Sequence, residues 1–438
     1  MKKQFQKNSS FKNSEKFKIF VWSLFDFANT SFSIVVVTFI YAVYFKEVVA
    51  EKQPIGDLYW SISISAAMII TAIISPILGA IADHSAGKKR FLLFFTILCI
   101  ISTALLFFVG PGSVLAGMLL FIVANVGFES GLVFYDSFLP EITTPKNFGR
   151  VSGYGFAFGY LGSLASLGIA FPFIQADMIK ETFPLSALFF LIFALPIFIY
   201  LKDTRKNTDG NISYMKIGFS RVASTFRHLK YYKNLALFLL SFFFYIEGVN
   251  TVIFFSGNYA STTLGFSMIE LIIFFIIVQS TAILGSIVFG IISDSIGQKK
   301  SIMISLVIWV FTILIAFYSS AEDAFLTKIF APLLNQEPGE FLKTGFYIIG
   351  LLAGSVMGAT QSVSRSLMSR LTPMEKKTEF FGFYSLFGKS SAIVGPLVFG
   401  YISYIFASQR FAILSIGFFF IAGLLILSFV KEPPLQEE

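Results

Sequence analysis

Apolar residues fall in runs of about 20, the length a helix needs to cross the hydrocarbon core of a bilayer, with polar stretches between them. The runs lie near 19–45, 58–82, 91–109, 114–138, 152–174, 185–201, 235–259, 269–292, 301–319, 344–367, 380–405 and 411–430. Several are longer than a perpendicular crossing needs, which predicts tilted helices. The pattern predicts an all-α membrane protein with 12 transmembrane helices.

Composition agrees. Of the 438 residues 55% are hydrophobic and 13% charged, about half the charged share of a soluble domain. Phenylalanine contributes 57 residues, more than a soluble core could pack. The net charge of +8 could suggest a nucleic-acid partner, but all the basic residues except Arg365 and Lys389 lie in the polar stretches, which argues against one. The single cysteine, Cys99, allows no disulfide within the chain. His84 and His228 stand apart, so no metal or haem site is expected, and no cofactor. A lysine-rich stretch precedes the first run, which is too long for a signal peptide and has no small-residue cleavage site after it.

Lysine and arginine set the expected orientation. With the N-terminus inside, the inner segments hold 25 of these residues and the outer loops 6. Both termini are expected in the cytoplasm of a multi-pass cell-membrane protein. The expected organisation is a cytoplasmic tail (1–18), a six-helix bundle (19–201), a cytoplasmic linker (202–234), a second bundle (235–430) and a short cytoplasmic tail (431–438). In the linker Met215, Phe219, Val222, Phe226 and Leu229 recur at helical spacing, with Arg221, Arg227, His228 and Lys230 on other faces. This predicts a basic amphipathic helix at the inner membrane surface. The outer loop 319–344 is polar, with Pro332 and Pro338, and suggests no role.

The two sets of six spans are related. Span 1 carries Asp26-x-x-Asn29-Thr30, and span 7, half a chain further on, carries Glu247-x-x-Asn250-Thr251. The segment after span 2 reads Gly79-Ala-Ile-Ala-Asp83-His-Ser-Ala-Gly87-Lys88-Lys89-Arg90. The segment after span 8 reads Gly290-Ile-Ile-Ser-Asp294-Ser-Ile-Gly297-Gln-Lys299-Lys300, at a similar offset. Parallel repeated halves mark one transporter architecture, with the substrate site between them.

The Gly-x-x-x-Asp-x-x-Gly-basic-basic segment resembles the signature loop of the major facilitator superfamily. The second copy fits; the first has Ala86 at the glycine position and Gly87 one residue late. Longer stretches, among them Trp22-Ser-Leu-Phe-Asp26-Phe-Ala-Asn29, Phe134-Tyr135-Asp136-Ser-Phe-Leu-Pro140-Glu141, Gly248-Val-Asn250 and Gln361-Ser-Val-Ser364-Arg365, resemble the vacuole-effluxer family and its bacterial relatives. The resemblance runs from about residue 20 to 430. It implies the major-facilitator fold, two pseudo-symmetric six-helix bundles rocking about a central site, and in fungal members amino-acid export from the vacuole. In that fold spans 1, 4, 7 and 10 line the cavity.

Asp26, Glu129, Glu247 and Lys389 lie within spans. Each costs about 2.5–3.5 kcal/mol at a helix centre, so each is expected to face the bundle interior and to serve function. Asn29, Asn125 and Asn250 lie three or four residues from the acids and share their faces. These seven residues form the candidate substrate- and proton-binding set, with Asp26 or Glu247 as proton carrier and Lys389 paired to one of them. A permanent ion pair that locks helix packing is the competing view. At the inner ends Asp136 and Glu141 close span 4, and Arg365 and Arg370 close span 10 at the same spacing in the other half. Salt bridges among these four and Asp83 or Asp294 are the candidate cytoplasmic gate, against simple helix capping. Glycines cluster on spans 5 and 11, and Gly155-x-x-x-Gly159 permits close helix approach. Trp22, Phe25, Tyr135 and Tyr245 beside the acids are candidates for stacking on substrate or for bundle core.

The resulting expectation is a monomeric secondary transporter for a small polar solute such as an amino acid, proton-coupled and in contact with membrane lipids. Lipid or drug export through the same fold is the alternative. A membrane-embedded receptor or enzyme is disfavoured, since no P-loop, paired histidines or Gly-x-Ser-x-Gly elbow is present.

Overall fold

The computed structural model describes residues 14–53, 55–203, 214–227, 229–392, 394–406 and 409–433. Most of the expected N-terminal tail, linker residues 204–213, His228 and the tail 434–438 lie outside the described residues.

Among the described residues the chain is helical and contains no strand. The first half holds α1 (Glu15–Phe32), α2 (Ile40–Tyr44), α3 (Ile55–Ile81), α4 (Lys88–Leu105), α5 (Val114–Asp136), α6 (Leu139–Ile142), α7 (Phe148–Gln175) and α8 (Thr182–Tyr200). The linker contains α9 (Tyr214–Arg227). The second half holds α10 (Lys233–Thr262), α11 (Met268–Ile296), α12 (Gln298–Tyr318), α13 (Phe325–Leu333), α14 (Pro338–Leu371), α15 (Lys377–Ser391), α16 (Val394–Ile405) and α17 (Gln409–Ser428). Among the described residues eleven helical segments are each long and apolar enough to cross a membrane. Over the expected span 380–405 the described residues form α15 and α16, with a turn at Ala392 and residue 393 outside the described residues.

The first span is not uniformly α-helical. Its middle, Ser33–Thr38, is π-helical, and Thr38 Oγ1 donates to the carbonyl of Ser33 at 2.9 Å. The wider turn and a further π segment at Phe45–Val49 carry the crossing to Val49.

The halves repeat one packing scheme. In the first, α1 packs on α7 and α8, α3 on α5, and α4 on α5 and α8. In the second, α10 packs on α15 and α17, α11 on α14, and α12 on α14 and α17. Each half has its own apolar core, one around Trp22, Phe121 and Phe183 and the other around Tyr245, Trp309 and Phe420. Between the halves α3 meets α15 and α7 meets α11 and α14. Both termini emerge at one end of the bundle, called the terminal end below: Glu15 accepts from Thr143 at 2.5 Å and Glu432 from the Gln298 backbone at 2.9 Å.

The two signature segments are structurally equivalent despite their unequal length. Gly87 (φ 74°) and Gly297 (φ 97°) each precede the next helix, in the positive-φ region that favours glycine. The extra residue of the first copy is taken up by a π-helical turn at Ala82–Ala86. Each following helix is then capped by an acid from the end of its own half. Asp203 accepts from Lys89 N at 3.1 Å, and Glu432 from Gln298 N and Lys299 N at 2.9 and 3.0 Å. Lys89 and Lys299 complete the match by donating to the carbonyls of Leu201 and Ser428.

The linker helix α9 lies against α3, with Gly218 seated on Ile77 and Ile81. Thr225 near its other end is buried and donates to Glu379 of α15. The helix therefore touches both halves at the terminal end.

Candidate functional site

The halves meet at the terminal end through two equivalent helix pairs. On one side Asp83 accepts the backbone N–H of Glu379, at the start of α15, at 2.8 Å. On the other Asp294 accepts the N–H groups of Gly149 and Arg150, at the start of α7, at 2.7 and 3.1 Å. The first turn of a helix carries free N–H groups and partial positive charge, so it holds a carboxylate well. Each signature aspartate thus caps a helix of the opposite half, and Arg150 Nε adds an ion pair to Asp294 at 2.8 Å. Glycines let these helices touch: Gly153 lies on Ser286 and Gly290 of α11, and Gly382 on Ser75 and Pro76 of α3.

Arg365 of α14 occupies the centre of the contact. Its Nη1 lies 3.1 Å from Asp26 Oδ2 on α1 and 3.0 Å from Asp136 Oδ1 on α5. Its Nε and Nη2 donate to the hydroxyl and carbonyl of Ser152 on α7, each at 3.0 Å. The guanidinium lies 4.6 Å from the Trp22 ring centre and 4.2 Å from that of Phe156. One side chain of the second half is therefore held by three helices of the first. Only 3% of it is exposed, so its charge depends on the two carboxylates and not on water. Asn29 donates to Asp26 at 3.4 Å, and Gly155 leaves the space that Arg365, Trp22 and Asp26 fill.

The other two span-end charges, Glu141 and Arg370, take different partners. Glu141 pairs with Lys88 at 2.7 Å and with Lys377 of the opposite half. Arg370 instead bonds Gln298 at 2.5 Å and Glu432 at 3.3 Å within its own half. The repeat explains this. Lys88 and Gln298 both open the helix after a signature glycine, so Arg370–Gln298 is the second-half copy of Glu141–Lys88.

Two further acids sit elsewhere on the spans. Glu129 of α5 pairs with Lys389 of α15 at 2.5 Å, between the halves. This corrects the expectation that Lys389 pairs with Asp26 or Glu247: Arg365 already holds Asp26, and Lys389 faces α5. Asn125, one turn from Glu129, is fully buried, and neither of its amide atoms has a partner among the described residues. Glu247 of α10 is fully buried at the break between α15 and α16. Its Oε1 accepts from Gly395 N at 2.6 Å and from Thr251 at 3.2 Å. No cation pairs with Glu247 among the described residues. Asn250 reaches Ser391 at 3.5 Å, beside the same break. A Cβ at position 395 would overlap the Glu247 carboxylate and the Thr251 hydroxyl, so a side chain there would have to displace both.

The four aromatic candidates are core. Trp22, Phe25, Tyr135 and Tyr245 are at most 2% exposed. Trp22 and Phe25 stack on Tyr135 at 4.7 and 4.9 Å. An apolar cavity of 70 Å³ lies within the second half among Phe255, Tyr259, Trp309, Phe346 and Phe399. No charged residue is among those that line it.

Sequence reasoning missed Ser152, Lys377, Lys88 and Glu432. Ser152 carries no charge and reads only as one residue of a glycine-rich helix. Lys88 and Lys377 read as orientation signals alone. Glu432 could have been found, because Lys431-Glu432 at the end of the second half repeats Lys202-Asp203 at the end of the first.

Residues 58–434 match the family described as Vacuole effluxer Atg22 like. The chain belongs to this family. It is 31% identical over 427 residues to an uncharacterized MFS-type transporter, YxiO, of Bacillus subtilis (strain 168), covering 94% of each chain. It is 26% identical over 367 residues to Autophagy-related protein 22 of Kluyveromyces lactis, covering 77% of this chain and 72% of that one. Among solved structures, the human organic anion transporter MFSD10 superposes with a TM-score of 0.71 at 13% identity, covering 94% of this chain and 99% of that one. The proton:xylose symporter XylE also gives 0.71, at 15% identity and 97% coverage of both. At such identities these two carry the fold alone. The Atg22-like chain is thus a multi-pass membrane transporter of the major-facilitator type.

Proposed function

We propose that this transporter moves a small zwitterionic solute, such as an amino acid, by proton-coupled alternating access in the cell membrane, with both termini cytoplasmic. The observation that carries the reading is the set of contacts at the terminal end. Arg365–Asp26, Arg365–Asp136, Asp294–Arg150 and Glu141–Lys377 all join one half to the other. Contacts of this kind suit a mouth that closes and reopens, which supports reading the terminal end as a closed cytoplasmic gate. The excess of Lys and Arg on the same end supports the orientation.

Within the spans the acids divide by role. Asp26 and Asp136 hold Arg365 and belong to the gate. Glu247 accepts hydrogen bonds from Gly395 and Thr251 and pairs with no cation among the described residues, so it can gain or lose a proton without breaking an ion pair, which makes it the proton carrier. Glu129 and Lys389 present opposite charges from opposite halves. A zwitterion could exchange with that pair, its ammonium on Glu129 and its carboxylate on Lys389, with Asn125 alongside.

Purified protein in liposomes with an imposed pH gradient tests the scheme. Wild type should accumulate a zwitterionic amino acid. Glu247→Gln should lose accumulation yet retain exchange of labelled for unlabelled solute. Glu129→Gln and Lys389→Met should each raise KM tenfold or more. Gradient-driven accumulation by Glu247→Gln rejects the proton assignment, and an unchanged KM in both other variants rejects the zwitterion site.

A further inference from the structure

The segment between α12 and α14, for which the sequence suggests no role, contains the helix α13. One side of it is packed: Ala324, Thr327 and Ala331 are at most 2% exposed. Another side is apolar and uncovered. Phe325, Ile329 and Leu333 stand four residues apart, hence on one helix face, and are 63%, 47% and 71% exposed. Lys328 is exposed beside them, and the exposed acids Glu322, Asp323, Glu337 and Glu340 flank the helix.

This face continues an exposed apolar stripe on a neighbouring span. Along α12 the exposed residues Ile304, Val307, Phe311, Leu314 and Tyr318 form a stripe at helical spacing, as expected of a span facing acyl chains. The stripe ends at Tyr318, whose ring meets that of Phe325 edge-on at 6.5 Å. The apolar surface thus passes from the end of a span onto α13. On its other flank Phe330 stacks over Phe341 of α14 at 6.5 Å.

We propose that α13 is an interfacial membrane anchor: it lies in the leaflet opposite the termini with Phe325, Ile329 and Leu333 among the lipid chains. Short amphipathic helices with an apolar face and a charged rim bind in this way, and Lys328 can extend its ammonium to the headgroups. The bilayer is the occupant because the face continues the lipid-facing stripe of α12 at the end of a span. Through Phe341 the anchor holds the start of α14, the helix whose far end carries Arg365. Opening at the terminal end then tilts α14 about a point fixed in the opposite leaflet.

Nitroxide labels test the placement. In a Cys99→Ser chain reconstituted in liposomes, Ile329→Cys, Leu333→Cys and Glu337→Cys are labelled one at a time. Collision rates are measured with oxygen, which concentrates in lipid, and with a water-soluble nickel chelate. Labels at 329 and 333 should favour oxygen several-fold over the label at 337. Preference for nickel at both 329 and 333 overturns the proposal. So does dipolar broadening at these sites that disappears on dilution with unlabelled protein, because it would place a second copy on the face.

Discussion

Arg365 donates to Asp26 at 3.1 Å across the boundary between the two halves, and the partners are 339 residues apart in the chain. A buried ion pair contributes little net stability over an apolar replacement, but losing one partner costs about 3–5 kcal/mol because the other charge stays buried. Arg365→Met should therefore lower the thermal midpoint in detergent by several degrees. Arg365→Met with Asp26→Asn and Asp136→Asn should recover part of the loss. Arg365→Lys should behave as a partial loss, since one ammonium cannot reproduce the fork that reaches both carboxylates and Ser152. An unchanged midpoint in Arg365→Met would contradict the geometry.

Asp83 and Asp294 perform the same task in the two halves, so Asp83→Asn and Asp294→Asn should have the same effect. Each removes a charge-assisted bond worth about 1.5–3 kcal/mol to the closed terminal end. The readout is maleimide labelling of Ser137→Cys, which is buried and 3.4 Å from Thr378 of the other half. Labelling should rise at least several-fold in both variants. A rise in only one would break the equivalence.

The glycines at the contact should not tolerate a side chain. A Cβ on Gly153 or Gly382 would meet backbone of the opposite half, which cannot swing away as a flexible side chain can. Gly153→Ala and Gly382→Ala should both increase Ser137→Cys labelling. Gly168→Ala is the control: nothing lies within 4 Å of the added methyl, and helix propensity favours alanine by about 1 kcal/mol. It should leave labelling unchanged.

Thr225→Val removes the bond from the linker helix to Glu379 while keeping the side-chain shape. The backbone amides of α9 should then exchange hydrogen at least several times faster. Equal exchange in variant and wild type would show that Gly218 packing alone holds the helix.

Much of the architecture was legible because bilayer thickness imposes a length on each crossing and the repeat shows itself in Asp26/Glu247 and Asp83/Asp294. The chemistry of those pairs was less legible. Asp26 and Glu247 match in sequence, yet one holds an arginine and the other accepts from the Gly395 backbone, with no cation paired to it among the described residues. Their difference is written on other helices, in Arg365 and Gly395. Lys389 reads as a partner for either acid, but the rotation of α15 turns it toward Glu129. Ala86 reads as a departure from the signature, whereas a π turn moves Gly87 into the position Gly297 holds.

The sequence by itself determined a helical membrane protein in two related halves, since hydrophobic length and internal repetition are local properties that need no knowledge of neighbours. Only the tertiary structure decided which charge meets which, that Arg370 bonds Gln298 and Glu432, and that α13 presents an apolar face. Those outcomes depend on helix rotation and depth, set by packing among residues far apart in the chain.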